Sequence, residues 1–182
     1  SRLELFLNDH RPLLLSGDVR DDNSTLVIDL VNPDIYQEKH LILSREMLHV
    51  RRSIFVWEGT CYQHLSLQNF DTRAHDVRAT IVFGADFADL FEVRGVERKR
   101  RGNVERESGT SGVTYRYTAL DGLQNCLQLR FSPAPRVLKQ NYVTFELNLQ
   151  AQERRVVLLT ATCDCDQSGV PELFAPALRL AR

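Results

Sequence analysis

The chain has 182 residues, 43% of them hydrophobic and 26% charged, and its 23 lysines and arginines nearly balance its 24 aspartates and glutamates, for a formal net charge of −1. A chain of this size hides about 70% of its unfolded surface when it folds as one unit, so it can build a core without disulfides. The charge balance excludes the basic excess of a nucleic-acid or membrane-surface binder, and no apolar run reaches the roughly 18 residues of a membrane-spanning helix. There is no charged-then-apolar leader pattern. The chain opens directly on the alternating segment Leu3-Glu4-Leu5-Phe6-Leu7 and so reads as an excised piece of a longer protein.

Along the chain the dominant period is two, the signature of strands with one core face and one wetter face. After the first strand come the turn signals Asn8-Asp9 and Ser16-Gly17-Asp18, a strand over Thr25–Val31, the turn Asn32-Pro33-Asp34, and a strand over His40–Ser44. Leu48–Trp57 and Cys61–Phe70 flank Glu58-Gly59, which reads as a tight hairpin. Val77, Ala79, Ile81 and Phe83 alternate with Arg78, Thr80 and Val82. Residues 96–112 (VERKRRGNVERESGTSG) are charged, rich in Gly and Ser, and read as a long exposed hairpin or loop that is mobile for want of apolar anchors. The strand signal resumes at Val113–Tyr117, and Asp121-Gly122 marks another turn. Leu127, Leu129 and Phe131, then Val143, Phe145, Leu147 and Leu149, then Val157, Leu159, Ala161 and Cys163 continue the alternation. About ten to twelve strands with short polar turns and no long helical pattern predict one all-β domain over residues 1–182, a large antiparallel β-sandwich with at most short helices.

Chemistry-bearing residues are sparse. Asp86, Asp89 and Glu92 form the one dense acid cluster, within one helical turn. Glycoside hydrolysis needs two carboxylates about 5–9.5 Å apart that bracket a sugar, usually from separate elements. Acids on one turn point in similar directions, so these read as structural, one capping the turn and another pairing with Arg94. Phe87, Leu90 and Phe91 fall at helical spacing beside a core strand, and Phe87 and Phe91 are expected to be buried. Arg98-Lys99-Arg100-Arg101 lacks the interleaved aromatics of a nucleic-acid site and reads as a solvated loop. Asp164-Cys165-Asp166-Gln167-Ser168-Gly169 opens like a calcium loop, but its twelfth position is Ala175, which supplies no carboxylate. Cys163 and Cys165 lie two apart, near the limit for bridging in a strand. Cys61 and Cys126 are isolated, and the four read as reduced thiols of a cytoplasmic protein. His49 and His64 are placed to face each other across the Glu58-Gly59 hairpin. Trp57, Tyr62, Tyr115, Tyr117 and Tyr142 are candidates for a sugar-stacking platform. No cofactor or metal motif is present, and no catalytic residue is assigned.

The segment Gly84-Ala85-Asp86-Phe87-Ala88-Asp89-Leu90-Phe91-Glu92-Val93-Arg94-Gly95 resembles the signature of the N-terminal domain of bacterial glycogen-debranching-type proteins, the amylo-α-1,6-glucosidase relatives. The resemblance extends over most of the chain. Leu7-Asn8 with Pro12-Leu13-Leu14-Leu15-Ser16 is similar to the family's L-N-G-x-P-L-L-L pair, with Asp9 in place of glycine. Leu30–Asp34 resembles L-T-N-P-D, Val50-Arg51-Arg52 and Leu67-Gln68-Asn69-Phe70 resemble its R-R and L-x-N landmarks, and Phe131-Ser132-Pro133-Ala134-Pro135 resembles F-S-P-x-P. Tyr117–Gly122 is similar to Y-x-G-L-D-G, with Thr118-Ala119-Leu120 departing from the glycine. The family's usual opening block G-L-F-x-x-D-T-R is not in this sequence. The resemblance implies a supersandwich-like accessory domain preceding an (α/α)6 catalytic toroid, which carries the acid and base and is the partner. Asp86, Phe87, Asp89, Phe91, Glu92, Arg94 and Gly95 are then structural or interdomain residues. Two functions stand side by side: a non-catalytic domain that docks on the toroid and helps shape its cleft, or an autonomous carbohydrate-binding module for α-glucan. A self-contained hydrolase is a weaker third.

Overall fold

The computed structural model describes residues 1–97, 100–163, 165 and 170–181. Among these, fourteen strands run in chain order: β1 (Arg2–Leu7), β2 (Leu13–Val19), β3 (Leu26–Val31), β4 (Ile35–Gln37), β5 (His40–Leu43), β6 (Leu48–Trp57), β7 (Thr60–Asn69), β8 (His75–Gly84), β9 (Asn103–Ser108), β10 (Gly112–Thr118), β11 (Gln124–Ser132), β12 (Val137–Leu138), β13 (Tyr142–Leu149) and β14 (Arg154–Thr162). One helical turn, α1 (Leu90–Val93), follows β8, and a short helix, α2 (Phe174–Leu180), follows a 3-10 turn at Pro171–Leu173. The strands form a four-stranded sheet in the order β1-β8-β13-β12, an eight-stranded sheet in the order β2-β3-β6-β7-β14-β11-β10-β9, and the separate hairpin β4-β5. All pairings are antiparallel.

The two large sheets face each other across one apolar core. The small sheet contributes Leu5, Leu7, Val77, Ala79, Ile81, Phe83, Val143, Phe145 and Leu149; the large sheet contributes Leu48, Val50, Leu65, Leu67, Val113, Tyr115, Leu129, Phe131, Val157 and Leu159. These are the residues of the period-two pattern, because alternate side chains leave a strand on opposite faces. Phe131 of the large sheet meets Phe83 and Phe145 of the small one, with centroids 5.7 and 6.3 Å apart. Each fully buried Leu, Val or Phe contributes about 1.5–3 kcal/mol to folding, so this layer dominates the stability of the domain. On the other face of the large sheet, α2 packs Ala177 and Phe174 onto Phe55 and Tyr62.

Turn chemistry follows the sequence closely in three places. Glu58 and Gly59 both take positive φ (45° and 71°), the primed geometry whose twist suits a two-residue hairpin, and β6 pairs β7 from Trp57↔Thr60 outward. Asn8 and Asp9 do the same (45° and 67°), and Gly122 takes φ 85° between β10 and β11. Ser16-Gly17-Asp18, by contrast, is no turn. It lies inside β2, an edge strand whose pairing with β3 shifts register between Leu14 and Ser16; a bulge on an edge accommodates the Gly and polar residues that otherwise signal a loop.

Two completely buried asparagines pin loops onto this frame. Asn32 Nδ2 donates to the carbonyls of Pro33 (2.7 Å) and Ser44 (2.8 Å), while its Oδ1 accepts the Leu48 N–H at 2.7 Å. This fixes both ends of the β4-β5 hairpin, whose Ile35 and Leu43 enter the core. Asn69 Nδ2 faces the carbonyls of Arg73, Gln150 and Leu149 at 2.7, 3.0 and 3.2 Å, and its Oδ1 accepts the Asp71 N–H at 2.9 Å. Both asparagines are 0% exposed.

The cysteine expectation is corrected. Cys126 on β11 is bonded to Cys165, beyond β14, with Cα atoms 6.0 Å apart, while Cys61 and Cys163 are free. The partners are distant in sequence but antiparallel β11-β14 pairing brings them together, which spacing alone does not reveal. Asp164 and residues 166–169 of the calcium-like run lie outside the described residues. No helix among the described residues is long and apolar enough to cross a membrane.

Candidate functional site

β8 leaves the small sheet at Gly84, and the next dozen residues build a short projection held at both ends. Asp86 stands at its base. Its carboxylate accepts the Ala88 N–H at 3.2 Å and the Ser1 hydroxyl at 2.9 Å. Phe87 follows with φ 48°, a left-handed conformation that a bulky side chain adopts only when its surroundings impose it. The constraint is its ring, stacked on Tyr117 of β10 at 5.2 Å with 12° between planes. The Tyr117 hydroxyl accepts the Gly102 N–H at 3.2 Å.

Asp89 is the N-cap of α1. Its Oδ1 accepts the N–H groups of Phe91 (2.9 Å) and Glu92 (2.8 Å), and Glu92 Oε2 accepts the Asp89 N–H at 3.2 Å. This is a reciprocal capping box, with acids where the exposed N–H groups of a first turn attract negative charge. At the other end the Val96 N–H donates to the Phe91 carbonyl and the Gly95 N–H to the Glu92 carbonyl, both at 3.0 Å. Gly95 sits at φ 95°. The two crossed bonds and the left-handed glycine make a Schellman ending. A helix of four residues cannot sustain itself by propagation; here eight consecutive residues, Asp89–Val96, supply both caps.

Two sequence expectations are corrected at this turn. Glu92, not Phe91, faces inward: the Glu92 side chain is 7% exposed and pairs with Arg101 at 2.8 Å, whereas Phe91 is 63% exposed. A single turn can offer only one face to the sheet, and the capping carboxylate takes it. Leu90 (59%), Val93 (72%) and Val96 (54%) are exposed with Phe91. Phe87 is half-buried, against the core cluster. Arg94 is exposed at the C-cap and makes no ion pair among the described residues; Arg101 takes the role expected of it. Asp86, Asp89 and Glu92 are thus all engaged in holding the projection.

Of the two readings of residues 96–112, an exposed hairpin or a loop, the hairpin holds from Asn103 onward. Arg98 and Lys99 lie outside the described residues, but Asn103–Ser108 form β9, paired with β10 from Val113↔Ser108 to Thr118↔Asn103. β9 is a charged edge strand, mostly exposed, and its polar sequence hid it because it has almost no buried face. The proposed aromatic platform also does not assemble. Tyr62, Tyr115 and Tyr117 are 7%, 1% and 8% exposed, and the Tyr115 hydroxyl is spent on the Gln140 carbonyl at 2.6 Å. Nor do His49 and His64 meet: the hairpin register sets His49 opposite Gln68 and His64 opposite Ser53. His49 instead contacts Asp29 at 2.9 Å. Among the described residues no group of three His, Cys, Asp or Glu side chains could hold a metal ion.

The family model for the N-terminal domain of (some) glycogen debranching enzymes matches residues 1–160. The chain belongs to this family. No curated protein sequence matches it. Among solved structures, the chain is similar to a polysaccharide lyase, with 12% identity and a TM-score of 0.45 over 86% of this chain and 23% of that one. It is also similar to a galactose mutarotase related enzyme from Lactobacillus acidophilus, with 8% identity and a TM-score of 0.40 over 89% of this chain and 74% of that one. The region that matches the debranching-enzyme N-terminal family holds the capped α1 projection and both buried asparagines; α2 falls beyond it.

Proposed function

We propose that this chain is the non-catalytic N-terminal domain of a glycogen-debranching-type glycoside hydrolase. It docks through the α1 projection on an (α/α)6 catalytic domain of the same polypeptide and helps to shape the substrate cleft there. The observation that carries this reading is the apolar display of Leu90, Phe91, Val93 and Val96 on a turn capped at both ends. Apolar side chains exposed together on a turn capped at both ends mark an interaction surface. Membership of a family of N-terminal domains supplies the occupant, the part of the enzyme that follows. Asp86, Asp89 and Glu92 hold the turn and leave the acid and base to the catalytic domain.

The test is Phe91→Asp in the full-length parent enzyme, with the same change in the isolated chain. The isolated chain should unfold at a nearly unchanged denaturant midpoint, because Phe91 is 63% exposed in it. In the parent, the single cooperative transition should split in two, and kcat/KM on limit dextrin should fall about tenfold, the effect of losing about 1.4 kcal/mol of interdomain support. A parent variant with one unshifted transition and full activity refutes the docking reading.

A further inference from the structure

Away from α1, an open cleft of about 680 Å3 lies between the β4-β5 hairpin, the turn 8–10 and the ends of β8 and β13 nearest that turn. That is within the roughly 300–1,000 Å3 typical of small-ligand sites. Tyr36 and Ile42 line it from the hairpin and are 56% and 45% exposed. Across from them stand polar groups in a fixed array. Arg78 is ion-paired with Asp9 and lies opposite Glu146 in the β8-β13 register; Asn148 donates to Asp76 at 2.8 Å.

Both walls are preorganised by side-chain amides. Asn32 fixes the hairpin that bears Tyr36. On the other side Asn8 Oδ1 accepts the Arg78 N–H at 2.6 Å, locking the turn 8–10 against β8. A cleft whose walls are set before a ligand arrives loses less entropy on binding.

The chemistry of the lining narrows the ligand. Three carboxylates (Asp9, Asp76 and Glu146) stand against one guanidinium, Arg78, and one imidazole, His10, so the carboxylates outnumber the basic groups and a phosphate or nucleotide is disfavoured. Asp9 and Asp76 are already held by Arg78 and Asn148, and Glu146 by Arg136 at 3.5 Å, which makes a cation a poor competitor. A neutral ligand fits, one with an apolar ring face for Tyr36 and adjacent hydroxyls for paired carboxylate, amide and guanidinium groups. That description is a pyranose.

We propose that this cleft is a non-catalytic binding site for α-linked gluco-oligosaccharide. The α-glucan class rests on membership of the debranching-enzyme family and is independent of the docking role given to α1. The site is distinct from the tyrosine platform excluded above, and the β4-β5 hairpin supplies its tyrosine ring, Tyr36.

The experiment is a residue-resolved NMR titration of the 182-residue chain with maltohexaose, with cellohexaose as control. Saturable shifts are expected at Tyr36, Ile42, Arg78 and Asn148. Tyr36→Ala and, on the opposite wall, Asn148→Ala should each weaken binding about tenfold with unchanged unfolding midpoints, while Phe91→Asp binds as the parent does. The proposal is overturned if maltohexaose at tens of millimolar moves no cleft resonance, if the shifts cluster elsewhere, if both wall variants bind as tightly as the parent, or if cellohexaose binds equally well.

Discussion

Replacing Asn69 by alanine should cost the domain about 4–6 kcal/mol, a large share of the roughly 5–15 kcal/mol that holds a domain folded. The magnitude follows from its hydrogen bonds. Nδ2 has two hydrogens and faces three carbonyls, those of Arg73, Gln150 and Leu149, so one hydrogen is shared; Oδ1 takes the Asp71 N–H. That amounts to about three net bonds of about 1 kcal/mol each, with about 1–3 kcal/mol more for groups stranded at a dry site. The assay is urea unfolding with an unchanged slope. Asn69→Asp sharpens the test, because it keeps the shape but turns a carboxyl toward three carbonyl oxygens. Burial and those acceptors favour the protonated acid, so its pKa in the folded state rises above the unfolded value of about 3.9. The stability this variant retains is therefore fully present below that value and is lost as pH rises through the folded pKa. Its deficit should grow from pH 4 to pH 8. An alanine variant within about 0.5 kcal/mol of the parent, the range of ordinary surface changes, or an aspartate deficit that does not move with pH, refutes the reasoning.

Phe87→Ala should cost about 2 kcal/mol, from the lost stacking on Tyr117 and partial burial, and Phe91→Ala less than about 0.5 kcal/mol in the isolated chain; equal losses in denaturant unfolding would show that the turn is oriented otherwise. Asp29, 16% exposed, is held below its ordinary range by hydrogen bonds from Arg51, with further help from the His49 and Ser16 contacts. A depressed carboxyl stabilises above its unfolded pKa, so the advantage of the parent over Asp29→Asn should be constant near neutrality and shrink as pH falls below about 4; an advantage that widens in acid is the contrary outcome. The isolated chain should release no glucose from glycogen, limit dextrin or maltooligosaccharides. Glucose release that alanine at Asp86 or Glu92 abolishes, with the fold intact, would overturn the non-catalytic reading.

The sandwich was legible because alternation reports directly on a two-faced strand: Leu48–Trp57, Cys61–Phe70 and Val77–Phe83 coincide with β6, β7 and β8 to within two residues. The hairpin at Glu58-Gly59 was legible because few residues tolerate two successive positive φ values. β2 and β9 were not. An edge strand need not alternate when little of it is buried, and the seven residues of β2 are all exposed. At α1 the expected capping acid is present as Asp89, but the direction of the turn was not legible, since Leu90 and Phe91 look like core until Glu92 is seen to occupy the inward face. Tyr36 escaped notice because exposure, not identity, sets it on the cleft wall, and exposure here depends on a three-residue strand tied down by Asn32. The Cys126–Cys165 pairing depends on strand order, which the local pattern does not encode.

The two ends of the eight-stranded sheet face the solvent on unequal terms. At one end β9 carries Glu105, Arg106 and Glu107, exposed, and an incoming strand would have to bury their charges. At the other end β2 presents Leu13, Leu14 and Leu15, 36%, 67% and 54% exposed, and is guarded chiefly by the register shift between Leu14 and Ser16, which spoils the straight ladder a neighbouring chain would need. One guard is electrostatic and the other is geometric. Salt shortens the reach of the first, to about 3 Å at 1 M, and leaves the second untouched, while temperature or a substitution that irons out the bulge acts only on the second. Storage conditions that keep the domain dispersed therefore have to satisfy two different edges.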